Sequence, residues 1–334
     1  MSAPTIAVEN PTGAGRTLWQ ISQVGGLVAT AVLLAGLIAQ PQTTLNILWN
    51  VVVPVLPAVF LVNPLLWRNA CPLATLNKLT GDRLGSRRLS VHGATWAGAL
   101  GVVLLYVMVP ARRVLFNVDG TILAATIVAV ALLAILGGVL YSAKAGFCNA
   151  ICPVLPVERL YGQRPLANVT NARCYPCSMC VGRGCVDLSP TKSIAQTLGR
   201  ARRSHRWLLT PFGAFAASFP GFVLGYFTTV DGPLSTAGSV YVHIFTWAAA
   251  SYVVVALVSL LRPGRNEELV TLLAAVAVGS YYWFVSPTVV EAVGGFNGSV
   301  VLLRVATLAL IALWLVRGMR AVPHGNNHQS EAAS

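Results

Sequence analysis

Residues 120–153 read GTILAATIVAVALLAILGGVLYSAKAGFCNAICP: no charge from Gly120 to Ala143, then Lys144, then Cys148 and Cys152 with Pro153 directly behind. At about 1.5 Å per helical residue, Gly120 to Tyr141 suffices to cross roughly 30 Å of hydrocarbon. One continuous piece of chain thus leaves the lipid and delivers two thiols to the water boundary. The following residues repeat an earlier pattern. Trp67-Arg-Asn-Ala-Cys71-Pro-Leu-Ala-Thr-Leu-Asn-Lys-Leu-Thr-Gly81 matches Cys148-Asn-Ala-Ile-Cys152-Pro-Val-Leu-Pro-Val-Glu-Arg-Leu-Tyr-Gly162 in its Cys-Pro to Gly spacing, and an Asn-Lys or Glu-Arg pair stands at the same offset. Each copy reads as an outward span, a returning span and a Cys-Pro turn with a short amphipathic segment. The copies are therefore parallel, with both turns on one side. Trp67 stands where the second copy has Cys148, so the chain holds seven cysteines instead of eight.

Outward from this pair of turns the chain remains apolar, with 55% hydrophobic and 10% charged residues, far from a soluble domain. Spans are expected near Leu18 to Ala39, Leu45 to Leu66, Ala94 to Pro110, Gly120 to Tyr141, Trp207 to Thr229, Val240 to Leu261, Leu269 to Val285 and Val300 to Val316. The expected fold class is all-α: a polytopic membrane helix bundle of about eight transmembrane helices with a small cytoplasmic loop module, expected to be iron-sulfur because it carries the closely spaced Cys174, Cys177, Cys180 and Cys185. The expected organisation is a cytoplasmic N-terminal segment (1–17), a two-repeat four-helix half (18–141), a ferredoxin-like cysteine loop (142–206), a second four-helix half (207–317) and a disordered tail (318–334). The first span is too long, and too weakly charged in front, for a cleaved signal peptide, and reads as a retained anchor.

Basic residues orient the bundle, because Lys and Arg in short loops stay cytoplasmic. Arg68, Lys78, Arg83, Arg87 and Arg88 follow the second span, and Lys144 to Arg206 supply a second basic loop after the fourth. Arg112 and Arg113 stand on the other side, with Arg304 inside the last span. Both termini and all seven cysteines are thus expected in the cytoplasm, as in a multi-pass protein of a bacterial inner membrane. The net charge of +13 follows from this topology, and loops this short hold no basic domain for nucleic acid. Membrane lipid is the expected surroundings, and the basic face suits an acidic soluble carrier or anionic headgroups.

Cytosolic thiols are kept reduced, so clustered cysteines there favour metal over disulfides. Cys174, Cys177, Cys180 and Cys185 are spaced Cys-x2-Cys-x2-Cys-x4-Cys, close to the ferredoxin run that grips a cubane cluster. The simplest assignment gives these four one [4Fe-4S] cluster. The alternative lets Cys71 or Cys152, each before a proline, complete a centre opened by the run, with a second cluster on the remaining cysteines including Cys148. Zinc also accepts four thiolates, but the immediate x2-x2 succession and three further cysteines on the same face argue for iron and sulfur.

With these residues in view, the chain resembles membrane-bound polyferredoxin-like 4Fe-4S proteins of the NapH, NosR and CcoG type. There, spans ending in Cys-x3-Cys-Pro precede a cytoplasmic cysteine run. The match rests on Cys148 and Cys152-Pro153, the partial copy Cys71-Pro72, and Cys174 to Cys185, and covers roughly Leu18 to Lys192. It implies electron transfer between a redox partner protein, such as a ferredoxin-like carrier or a respiratory complex subunit, and membrane quinone, or else a role in assembling or sensing for a respiratory metalloenzyme. A stand-alone enzyme is the less expected role, since no nucleophile, carboxylate pair or phosphate loop stands out. Arg173, just before Cys174, and Arg183, between Cys180 and Cys185, flank the ligands and are expected to raise a cluster's potential. His243 and Arg304 are expected at similar depth, as a polar quinone-headgroup or lipid site or as snorkelling side chains. Tyr281, Tyr282, Trp283 and Phe284 read as a quinone lining or an interfacial aromatic belt. Pro220, Gly221 and Gly225 are expected to kink the fifth span and let a neighbour pack closely.

Overall fold

The computed structural model describes residues 13–169, 185–187, 190–261 and 266–320. Among them the chain is mostly helical, with an isolated bridge between Arg87 and Tyr141 and no named strand. The helices are α1 Ala14–Ala39, α2 Pro41–Ile47, α3 Val53–Val62, α4 Pro64–Ala70, α5 Pro72–Gly81, α6 Val91–Ala111, α7 Gly120–Leu140, α8 Leu155–Tyr161, α9 Pro190–Leu198, α10 Pro211–Phe227, α11 Ala237–Leu261, α12 Asn266–Ala292 and α13 Asn297–Arg320. Their starts obey local chemistry. Ser90, Asp119 and Thr210 accept hydrogen bonds from the first free amides of α6, α7 and α10, and Asn63 caps α4 ahead of Pro64.

Seven helical stretches among the described residues are long and apolar enough to cross a membrane, and the protein is a multi-pass membrane protein in this sense. The remaining expected span, Trp207 to Thr229, differs. Its α-helix is α10, only 17 residues, preceded by a 3-10 turn over His205–Leu209. At about 1.5 Å per residue it extends roughly 26 Å. It sits against α6, α11 and α12 with most of its side chains buried. Gly221 and Gly225 permit this: a Cβ at Gly221 would meet the Trp247 carbonyl at 2.1 Å, and one at Gly225 would meet Ile244 Cα at 2.9 Å. The close packing expected from Pro220-Gly221 thus holds. Lipid contact falls to the outer helices, where Leu18, Ile21, Val24, Val28 and Val32 form an exposed stripe along α1.

The two sequence copies are interleaved. Arg87, beyond the first unit, exchanges backbone hydrogen bonds with Leu140 and Ser142 at the end of the second unit's returning span. Leu166 and Ala167, beyond the second unit, donate to Leu61 and Val62 at the end of the first unit's returning span. The glycines that close the motifs follow the same rule. A Cβ at Gly81 would lie 2.3 Å from the Ala143 carbonyl, and one at Gly162 would lie 2.5 Å from Pro64 Cγ. This reciprocity is what a pseudo-two-fold axis between parallel repeats requires. It brings both Cys-Pro turns together.

Candidate functional site

Each cysteine joint is shaped by its proline. The residue before proline is pushed out of the α region, so α4 stops at Cys71 (φ −55°, ψ 125°) and α5 restarts at Pro72. In the second copy the chain reverses at Ala143, whose φ of 54° is left-handed, and residues 142–154 turn tightly before α8. Lys144, next in line, is 1% exposed. Cys152 donates its amide to Phe147 at 3.1 Å, closing the turn that holds Cys148.

Cys71, Cys148 and Cys152 gather around Phe147, Ala74 and Ala134. Burial pushes the Cys148 thiol well up; Cys152 and Cys71 add to the rise, and Arg68 and Lys144 oppose it. Burial, with Glu158 and Cys71, pushes Cys152 up to about 12. Cys185 is buried too and shares with Cys152 the wall of a cavity of about 300 Å³ between α6, α8, α9 and the start of α10. Cys174, Cys177 and Cys180, with Arg173 and Arg183, lie outside the described residues.

A buried charge network fastens these segments. Arg68, three residues before Cys71, donates to Glu158, to Asn149 Oδ1 at 2.7 Å and to Asp187 Oδ2 at 2.5 Å. Asn149 adjoins Cys148, and Asp187 stands two residues after Cys185. One guanidinium therefore touches all three cysteine-bearing joints. Lys144 donates to the other oxygen of Asp187. Burial raises the Asp187 carboxyl, but Arg68 and Lys144 outweigh it and hold the group well below the usual range. Burial also raises Glu158, and there the single cation Arg68 does not fully reverse it. Burial lowers the Arg68 guanidinium while Asp187 and Glu158 raise it further, leaving it firmly charged. The two carboxylate partners of Arg68 thus differ because, among the described residues, Asp187 has two cations and Glu158 mainly one.

The donor chemistry suits a thiolate-bound inorganic centre. Three thiols gather beside buried cations whose charge would offset that of a thiolate, and Arg68 Nε is buried with no hydrogen-bond partner among the described residues. Cys71, Cys148, Cys152 and Cys185 are the described side chains able to ligate it. Among the described residues, however, no three histidine, cysteine, aspartate or glutamate side chains stand close enough to hold a metal ion by themselves.

Other expected sites separate. His243 Nε2 meets Thr228 Oγ1 at 2.9 Å, whereas Arg304 gives Nε to the Trp283 carbonyl and lies over that indole. Each is thus held by a partner of its own, and no hydrogen bond among the described residues joins the two. The Tyr282 hydroxyl is inserted between the Ala58 amide and the Pro54 carbonyl of α3, a structural patch where the helical ladder is interrupted. What the sequence reading missed is the Arg68–Glu158–Asp187–Lys144 network, whose charges it read as topology. A signal existed, since Lys144, Arg68 and Glu158 all lie in or beside the repeated Cys-Pro units. Compared with family models, with curated proteins and with solved structures, the chain gives no match in any of the three.

Proposed function

We propose that this protein is an electron carrier of a bacterial inner membrane, with its cysteines and both termini in the cytoplasm. It holds one [4Fe-4S] cluster, or two, on Cys174, Cys177, Cys180 and Cys185 together with Cys148, Cys152 and Cys71. It passes electrons between a soluble or subunit redox partner on the cytoplasmic face and the quinone pool or a membrane complex. The observation that carries this reading is the single buried guanidinium of Arg68 tying three cysteine-bearing segments into one body.

Such a cluster, when bound, supplies one-electron chemistry at a potential set by charge, burial and hydrogen bonds around its sulfurs. The chain's own residues prepare the place. Pro72 and Pro153 fix the cysteines before them at helix breaks. Arg68 and Lys144 put two positive charges beside the thiols, and Asp187, held by both, anchors the segment that carries Cys185. The interleaved repeats keep the two turns in register.

Oxygen-free purification with quantitation of iron, zinc and acid-labile sulfide tests the reading, joined to electron paramagnetic resonance of the reduced protein. Iron and sulfide in equal amounts with a cluster signal are expected, and Cys148→Ser should lower both. Stoichiometric zinc, or protein free of metal, would refute it.

A further inference from the structure

At the end of the bundle opposite the cysteine joints, two irregular turns meet. Leu48–Val52 in the second span and Arg112–Phe116 at the end of the third are both π-helical, a wide turn that recurs at functional sites. Arg112 joins them. Its guanidinium carbon lies 4.6 Å from the centroid of the Trp49 ring and 6.0 Å from that of Tyr226, while Arg113 lies 4.3 Å from the same tyrosine.

The charges do not balance. Arg113 pairs with Asp231 at 2.6 Å and donates to the Tyr226 carbonyl at 3.0 Å, and Asn117 holds the second oxygen of Asp231 at 2.5 Å. Arg112 gives its Nε to Asn117 Oδ1 at 3.0 Å, and no carboxylate pairs with it among the described residues. The group thus keeps one net positive charge.

Neither do the hydrogen bonds. Trp49 Nε1, the Tyr226 hydroxyl and Arg113 Nε are buried and find no partner at hydrogen-bonding geometry among the described residues. Tyr226 is only 5% exposed; both arginines act on its hydroxyl electrostatically, and Arg112 approaches it as a donor, which leaves the hydroxyl's own proton without an acceptor. Indole and guanidinium nitrogens can only donate, so the cluster calls for an acceptor.

We infer that this site binds the phosphodiester of a phospholipid headgroup. One negative charge spread over several acceptor oxygens matches one surplus cation among unpartnered donors, and guanidinium is well shaped for phosphate. Arg112 stands at the end of a membrane-crossing stretch, at the depth where headgroups lie. Val118 and Val230, neighbours of Asn117 and Asp231, are 63% and 83% exposed and offer apolar surface beside it. Arg304 provides the contrast: it also lies over an indole, Trp283, but no orphaned donor of that indole accompanies it.

Delipidated protein in detergent is titrated separately with phosphatidylglycerol, with diacylglycerol of the same chains and with inorganic phosphate, reading thermal shift and lipid retention by native mass spectrometry. Phosphatidylglycerol should bind and stabilise, with Arg112→Gln roughly tenfold weaker and Arg304→Gln unchanged. Trp49→Phe and Tyr226→Phe each remove one donor but keep an aromatic ring, and should bind about threefold weaker even if Arg112→Gln folds poorly. Wild-type affinity in Arg112→Gln and both ring variants would overturn the site. Equal binding of diacylglycerol would overturn the phosphate, and stabilisation by inorganic phosphate equal to that by lipid would overturn the headgroup.

Discussion

The two Cys-Pro units share a spacing and an axis, yet their charges are distributed unequally. Arg68 of the first copy stands where the second has Asn149, and Glu158 of the second stands where the first has Asn77. These differences pair off. Arg68 binds both its own counterpart, Asn149, and the carboxylate that only the second copy possesses. Asn77, lacking a charge, donates instead to the Ala134 carbonyl of α7. A strictly symmetric pair would have set like beside like across the axis. The copies have diverged into complementary halves, and the join between them is where the thiols gather.

The largest effect should come from breaking that join. Arg68→Met leaves Glu158 and Asp187 buried without the cation that they share, and removing one partner of a buried pair costs about 3–5 kcal/mol. Asn149→Ala, at the equivalent position, loses one hydrogen bond to a charged group and should cost about 1.5–3 kcal/mol. Denaturant titration of the protein in detergent measures both. Equal costs would mean that the copies are not specialised in this way.

A smaller effect probes the interleaving. Gly81→Ala forces a Cβ against the Ala143 carbonyl, and Gly162→Ala forces one against Pro64 Cγ and the Glu158 carbonyl. Overpacking of this kind costs about 1–3 kcal/mol, and reciprocity demands that both variants lose stability. Gly25→Ala on α1, where a Cβ meets nothing within 4 Å, should instead gain about 0.5–1 kcal/mol from helix propensity. A cost at one motif glycine alone would show that the exchange is one-sided.

Much of this architecture is legible in the sequence, because hydropathy and repetition are local signals. The seven long spans and the matched Cys-Pro to Gly spacing need no tertiary information. The shortness of α10 is less visible: Trp207 to Leu209 are as apolar as a span, yet they belong to a 3-10 turn that Thr210 separates from the helix opened by Pro211. The charge network is invisible for another reason. A lysine or arginine in a short loop between spans already has an explanation in topology, so nothing marks Arg68 or Lys144 as buried. Their partner Asp187 lies far along the chain. The π turns around Trp49 and Arg112 leave no trace in composition either, since they change the register of side chains without changing their kind.

The smallest effect sharpens the comparison most cleanly, because it holds chemistry fixed and varies only burial. Lys78–Asp82 and Lys144–Asp187 are both lysine–aspartate pairs. The first is a neighbour pair at the end of α5, with side chains 22% and 47% exposed, and the second is almost wholly buried. An exposed pair of this spacing is worth about 0.3–0.5 kcal/mol, so Lys78→Gln should be close to silent. Its small effect should also vanish in about 1 M salt, where screening acts within roughly 3 Å. Lys144→Gln removes one of the cations held on Asp187, in a site that salt does not enter, so its cost should persist in the same buffer. Parallel titrations at low and high salt decide the matter. If Lys144→Gln loses its effect with salt as Lys78→Gln does, the network is open to solvent and cannot hold the cysteine joints together.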